Sequence, residues 1–300
     1  MWDRVERLLG ADSLKLLSEK RVGIVGLGSG GGFVAQSLAM SGVGRFVLVD
    51  EDQLEPTNIV RHVADARYVG RNKAEVMAEL IHQRNPNAQV ETYTGRIENN
   101  LEALDDLDLL IVGVDDEGAK YHINEACLER DLVAVYAGVY ERGEGGDVVV
   151  IRPYHGPCYA CWSAELREGL PQETDGEALD YGMIGPEGTL EAEPGLWLHV
   201  TRVAGVQADF ALKELLRETG RQEPFPTNTV ILANSPLEIM EGHVTPPHSA
   251  LWVQIDRDPN CLVCGDQMHD QSEASAGMSL DALSQMAQIE VDEEQASNSK

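Results

Sequence analysis

No stretch of this chain reaches about 18 consecutive apolar residues, so no membrane span is expected. The first ten residues, MWDRVERLLG, lack an apolar h-region, so no secretory leader is expected. Basic residues are scarce: 23 Lys and Arg stand against 51 Asp and Glu, a formal charge of −28. That argues against a nucleic-acid binder with a broad basic surface, though not against a local basic pocket for a phosphate. Cysteine is sparse too, with five residues, four of them in two CxxC pairs. In the reducing cytoplasm that these features predict, such pairs suggest metal more than disulfides. What the chain does have is length and apolar content. Its 300 residues are 43% hydrophobic, enough for one large domain or a domain with an extension.

Strands and helices alternate along the sequence. RVGIVG, RFVLVD, Ala88–Tyr93, LDLLIVGVD and LVAVYAGV read as buried strands. Between them, Gly32–Met40, Lys73–Gln83 and Ile123–Arg130 carry helical patterns, and Val5–Ser18 predicts one or two short helices at the start. This is the order of a doubly wound, mainly parallel Rossmann-like α/β sheet. DVVVIRP follows a glycine-rich turn and predicts added antiparallel strands. A helix is expected from Val200 and a short strand at ALWVQI. Trp162 to Pro194 has nine acidic residues and one basic, with no clean period. It reads as a surface excursion or as a crossover loop beside a site. The expected organisation is one domain over 1–270, with that loop at 162–194, and a polar acidic tail over 271–300 that is partly disordered.

Six of the seven residues from Gly26 to Gly32 are Gly or Ser. Gly26, Gly28 and Gly31 match GxGxxG between a strand and a helix. The first permits a tight turn, the second lets backbone approach a phosphate, and the third lets helix and sheet pack closely. Asp50 ends the next strand, where a carboxylate can hold ribose hydroxyls. NAD or FAD would be the default ligand. Asn58, Arg61 and Lys73 point elsewhere: one neutral donor and two cations suit a triphosphate attacked at its α-phosphate, with pyrophosphate leaving. Asp115, at the end of the fourth strand, could hold Mg²⁺, a hard cation that prefers oxygen ligands.

Cys158-Tyr-Ala-Cys161 and Cys261-Leu-Val-Cys264 offer four thiolates. Four cysteines suit closed, tetrahedral, structural Zn²⁺. A disulfide or redox pair is the alternative, but a redox pair wants a helix start, and both pairs read as lying among Pro and Gly.

Taken together, GLGSGG at 26–31, VDEDQLEPTNIVRH at 49–62, VGRNKAEVMAELIHQRNPNAQV at 69–90 and VDDEGAKYHINEAC at 114–127 resemble the E1-like activating-enzyme superfamily of ubiquitin-like and sulfur-carrier proteins. VAGVQADFALKELL at 203–216 and RDPNCLVCG at 257–265 extend the resemblance over most of the chain. It implies ATP at the glycine loop and Asp50, phosphate contacts from Asn58, Arg61 and Lys73, and Mg²⁺ at Asp115. It also implies a homodimer in which Arg7, of the pair Arg4 and Arg7, reaches into the partner's site. His62 stands where bacterial relatives have glutamine, and tuning of the site is expected from it. The implied reaction is adenylation of a C-terminal carboxylate, usually a Gly-Gly tail, on a small carrier protein. Zinc takes every cysteine except Cys127, and no internal thioester is expected. Three other readings stay open: a tRNA-modifying adenylating dehydratase, a nicotinamide- or flavin-dependent oxidoreductase, and a catalytically silent partner subunit that keeps only the fold.

Overall fold

The computed structural model describes residues 1–168, 195–240 and 242–266. The acidic stretch at 169–194 and the tail at 271–300 lie outside the described residues. Two short helices, α1 (Asp3–Leu9) and α2 (Ala11–Glu19), open the chain. Gly10 separates them at φ 85, a conformation other residues resist. Then come β1 (Arg21–Val25), α3 (Ser29–Met40), β2 (Arg45–Val49), α4 (Lys73–Arg84), β3 (Gln89–Tyr93), β4 (Leu109–Val112), α5 (Glu117–Glu129) and β5 (Ala134–Val139). The second half of the main body adds β6 (Gly145–Ile151), α6 (Tyr159–Glu168), α7 (Trp197–Leu215), β7 (Thr229–Ala233), β8 (Leu237–Met240), β9 (His243–Thr245) and β10 (Ser249–Val253).

Eight strands form one sheet in the order β10-β7-β6-β5-β4-β1-β2-β3. The run β5-β4-β1-β2-β3 is parallel, while β6, β7 and β10 join antiparallel. The period-two alternation of the strands explains the layering. In β4, Leu109 and Ile111 face a core under α3, α4 and α7, and Leu110 and Val112 face a second core under α5 and α6. Both faces are therefore covered, as a central parallel sheet requires. The chain leaves β1 for β2 and β3, then crosses back to β4. The carboxyl ends of β1 and β4 are thus the switch point where open α/β sheets bind ligands.

Several boundaries differ from the sequence reading. Helix α3 begins at Ser29, so Ser29, Gly30 and Gly31 are its first turn and not a loop before it. Strand β4 stops at Val112, so Asp115 stands in the loop ahead of α5 and does not end the strand. The expected excursion from Trp162 begins as helix, since α6 runs to Glu168. Strands β7, β8 and β9 were not foreseen: TVILA is short, and the helical period before it ends in a Pro-rich link.

Candidate nucleotide site

A cleft of about 1040 Å³ opens at the switch point. Val25, Gly26, Val112 and Gly113 line its floor. The three motif glycines do different things there. Gly26 has φ 84, and a Cβ on it would sit 2.7 Å from the backbone of Gly113 and Val114. A Cβ on Gly31 would strike the carbonyl oxygen of Gly26. Both glycines hold β1, β4 and α3 together. A Cβ on Gly28 would meet nothing within 4 Å. Gly28 is also the N-cap of α3, and no side chain caps that helix. The first N–H groups of α3 thus face the cleft without an internal partner, the usual seat of a phosphate.

Asp50 follows β2 and is 9% exposed. Its Oδ2 accepts the Leu27 N–H at 2.6 Å and its Oδ1 accepts the Asp52 N–H at 2.9 Å. Burial raises its pKa, opposed by those bonds and by Lys73. Asp50 therefore anchors the glycine loop while presenting remaining lone pairs to the cleft. Lys73, the first residue of α4, is placed by Asn72, whose Oδ1 accepts the Ala74 N–H at 2.8 Å. Its ammonium is mostly buried and pairs with Asp52 at 2.7 Å. Asn58 accepts the Glu55 N–H through Oδ1 at 3.0 Å. Arg61 is exposed at the end of the 3-10 helix Pro56–Arg61 that also holds Asn58. All three line the cleft. So does Asp115, which is exposed and makes no hydrogen bond or ion pair among the described residues. A carboxylate left open beside a phosphate seat fits Mg²⁺.

Arg7 is not brought to this cleft. It is exposed on α1 and pairs with Asp3 at 3.1 Å. His62 is not a phosphate donor either. Its Nδ1 accepts the Ala64 N–H at 2.9 Å, so Nε2 carries the proton and donates to the Leu27 carbonyl at 2.8 Å. Burial lowers its pKa and keeps it neutral. Its work is to hold the glycine loop.

Three cleft residues escaped the sequence reading. Gln207 lies on the buried face of α7, where its Nε2 donates to the carbonyls of Val112 and Val135, 3.0 Å each. A lone amide in VAGVQADF was the available signal. Lys120 and Glu117 line the cleft from α5, with Lys120 Nζ and Glu117 Oε1 2.6 Å apart.

The cysteines fall into two groups. Cys127 is 2% exposed, and burial pushes its thiol up to about 12. Cys158 precedes α6 and Cys161 lies in its first turn. One CxxC pair thus does sit at a helix start, and that ground for setting aside redox chemistry falls. The Sγ atoms of this pair are 3.7 Å apart, against about 2.05 Å for a disulfide and about 3.8 Å for two thiolates on tetrahedral zinc. In Arg257–Asp266, the Gly265 N–H donates to the Cys261 carbonyl at 2.8 Å. The Val263 N–H points at the Cys261 Sγ at 3.4 Å, a knuckle turn. Cys158, Cys161, Cys261 and Cys264 form a group able to hold a metal ion, their ligand atoms all within 4.8 Å of one another. This donor set fits structural zinc.

The ThiF family model matches residues 3–253. The chain is 30% identical over 214 residues to the ubiquitin-like modifier-activating enzyme 5 of Drosophila ananassae, covering 67% of this chain and 52% of that protein. It is 26% identical over 273 residues to the adenylyltransferase and sulfurtransferase UBA4 of Lodderomyces elongisporus, covering 90% and 54%. The chain thus spans about half the length of the curated relatives it matches. Among solved structures, E. coli MccB with ATP superposes with a TM-score of 0.66 at 22% identity, over 88% of this chain and 74% of that one. MccB, the microcin C7 biosynthetic enzyme, in complex with N-formylated MccA gives 0.67 at 22%, over 87% and 75%. At that identity the likeness concerns the fold. No described helix is long and apolar enough to cross a membrane. With its glycine loop, switch-point cleft and a family match over most of its length, the chain belongs to the ThiF family.

Proposed function

We propose that this protein adenylates the C-terminal carboxylate of a ubiquitin-like or sulfur-carrier protein with a Gly-Gly tail, using ATP. The observation that carries this reading is the composition of the cleft. One end offers a phosphate seat at Gly28 and a ribose acceptor at Asp50. Lys73, Arg61 and Asn58 stand along one wall, and the open carboxylate of Asp115 lines the cleft too. A nicotinamide enzyme has no use for that set. A pyrophosphate leaving group does. MccB was solved with ATP, and two relatives are named as activating or adenylylating enzymes.

The carboxylate is already ionised at pH 7, so no general base is needed. The residues position it in line with the α-phosphate and stabilise the charge that moves to pyrophosphate. Lys73 exchanges Asp52 for phosphate, and Arg61 swings in from solvent. Asp115 would hold Mg²⁺, which would neutralise phosphate charge. Arg7, exposed on α1, serves the partner protomer of a homodimer. Zinc on the four thiolates is structural. Cys127, buried and with its pKa raised, carries no acyl group, so no thioester forms. We place the protein in the cytoplasm, where reduced cysteines are free to hold zinc.

Exchange of labelled pyrophosphate into ATP tests this. It should require a carrier or peptide ending in a free Gly-Gly carboxylate and should vanish with the C-terminal amide. Carboxylate-independent exchange, or none with any tail, would overturn it.

A further inference from the structure

Lys120 lines the cleft from α5 while only 9% exposed. A lysine is seldom so buried unless its charge is paired and its position matters. Its pair is Glu117, one turn earlier on α5, at 2.6 Å. Glu117 is held in turn by the Tyr159 hydroxyl, which lies 3.3 and 3.2 Å from its two carboxylate oxygens. Tyr159 stands between Cys158 and Cys161. Its N–H donates to Asn124 Oδ1 at 2.8 Å, and its ring stacks on Tyr136 at 4.6 Å. A further buried carboxyl, Asp147, is near enough for the Lys120 ammonium to act on it. A continuous set of contacts therefore runs from the cysteine knuckle through Tyr159 and Glu117 to the cleft.

The ammonium has three protons, and Glu117 takes one. No other hydrogen bond of the ammonium is seen among the described residues, and the cleft that Lys120 lines also holds Gly28, Arg61 and Lys73. Resting on the adenylation reading, we propose that Lys120 binds the terminal carboxylate of the incoming tail, and that Tyr159 and Glu117 are positioning residues through which the cysteine knuckle sets the lysine's place.

The test is binding of a fluorescein-labelled peptide ending in Gly-Gly, as free acid and as amide, to the full chain with a non-hydrolysable ATP analogue present. The parent should prefer the acid by about tenfold or more, the worth of one charge-assisted contact. Lys120→Met should abolish the preference while changing affinity for the ATP analogue less than about twofold, and Lys120→Arg should restore most of it. Tyr159→Phe should weaken the preference about threefold, with metal content and Tm at parent values. A Lys120→Met protein that keeps the acid preference overturns the proposal, as does one that loses nucleotide affinity equally. Tyr159→Phe at parent affinity removes the positioning role. Pyrophosphate exchange run alongside separates the two readings. A parent that prefers the acid but never exchanges sinks adenylation and leaves Lys120 standing. A parent that exchanges while Lys120→Met binds normally does the reverse.

Discussion

Asp50→Asn separates the loop anchoring seen at this carboxylate from the ribose binding proposed for it. Asp50 holds the glycine loop through Leu27 and the turn through Asp52, at 2.6 and 2.9 Å. An amide keeps one oxygen, which would stay on Leu27, and turns a donor toward the Asp52 N–H. Losing one charge-assisted bond costs about 1.5 to 3 kcal/mol. Against this, burial raises the pKa of Asp50, so the native state holds that charge at a cost, and the neutral amide relieves it. The two effects oppose, and the net loss of stability should stay within about 2 kcal/mol, a Tm change under roughly 8 °C. Nucleotide binding has no such offset. Two ribose hydroxyls would face one acceptor instead of a carboxylate, which costs about 2 to 4 kcal/mol, or roughly 30- to 1,000-fold in Kd. Thermal scanning fluorimetry without ligand, and calorimetric titration with ATP, read the two quantities separately. A variant with a large loss of Tm and an ATP Kd within threefold of the parent would make Asp50 a loop anchor alone and refute the ribose assignment.

Other outcomes follow from the same geometry. Gly31→Ala drives a methyl onto the Gly26 carbonyl and should destabilise by about 2 kcal/mol or more, whereas Gly28→Ala has open space and should cost under about 1 kcal/mol in urea melts yet weaken ATP binding at least tenfold. Cys261→Ser should lose zinc by elemental analysis and lower Tm by ten degrees or so, because a closed thiolate site contributes folding energy directly. Metal-free protein at parent stability would contradict that. Arg7→Ala, already free of the cleft in its own protomer, should keep its Tm but lose exchange activity, and mixing it with Asp115→Ala should recover part of the rate; no recovery after confirmed subunit exchange argues against action in trans. Asp147 is raised to about 7 by burial, so between pH 4 and 7 the native state binds a proton that the unfolded state has released, and stability falls as pH rises through that window. Asp147→Asn should flatten this slope, worth about 3 kcal/mol over melts from pH 5 to 8.

The central sheet was legible because buried parallel strands such as LLIV are continuous apolar runs bounded by glycine and charge. Strand β7, inside the antiparallel half of the sheet, and the separate β8–β9 pair were not, since short antiparallel strands carry no clear period of their own. At the site, the glycines, Asp50 and Lys73 could be placed from local grammar alone: a strand end, a turn, a helix start. His62 could not, because its neighbour is Leu27, 35 residues earlier, and only the fold reveals that its proton is spent there. Lys120 was hidden for a similar reason. On a helical wheel it is an ordinary charged residue, and its link through Glu117 to Tyr159, between Cys158 and Cys161, shows only in the fold.

The most direct measurement of the chemistry uses a tail whose terminal carboxylate carries ¹⁸O. If the carboxylate attacks the α-phosphate, the bridging oxygen of the acyl-adenylate comes from the tail. Transfer of the acyl group to an amine or thiol should then release AMP bearing one ¹⁸O, with pyrophosphate unlabelled, by mass spectrometry. Label found in inorganic phosphate would mean attack at the γ-phosphate, and AMP without label would mean that no acyl-adenylate forms; either result contradicts the account.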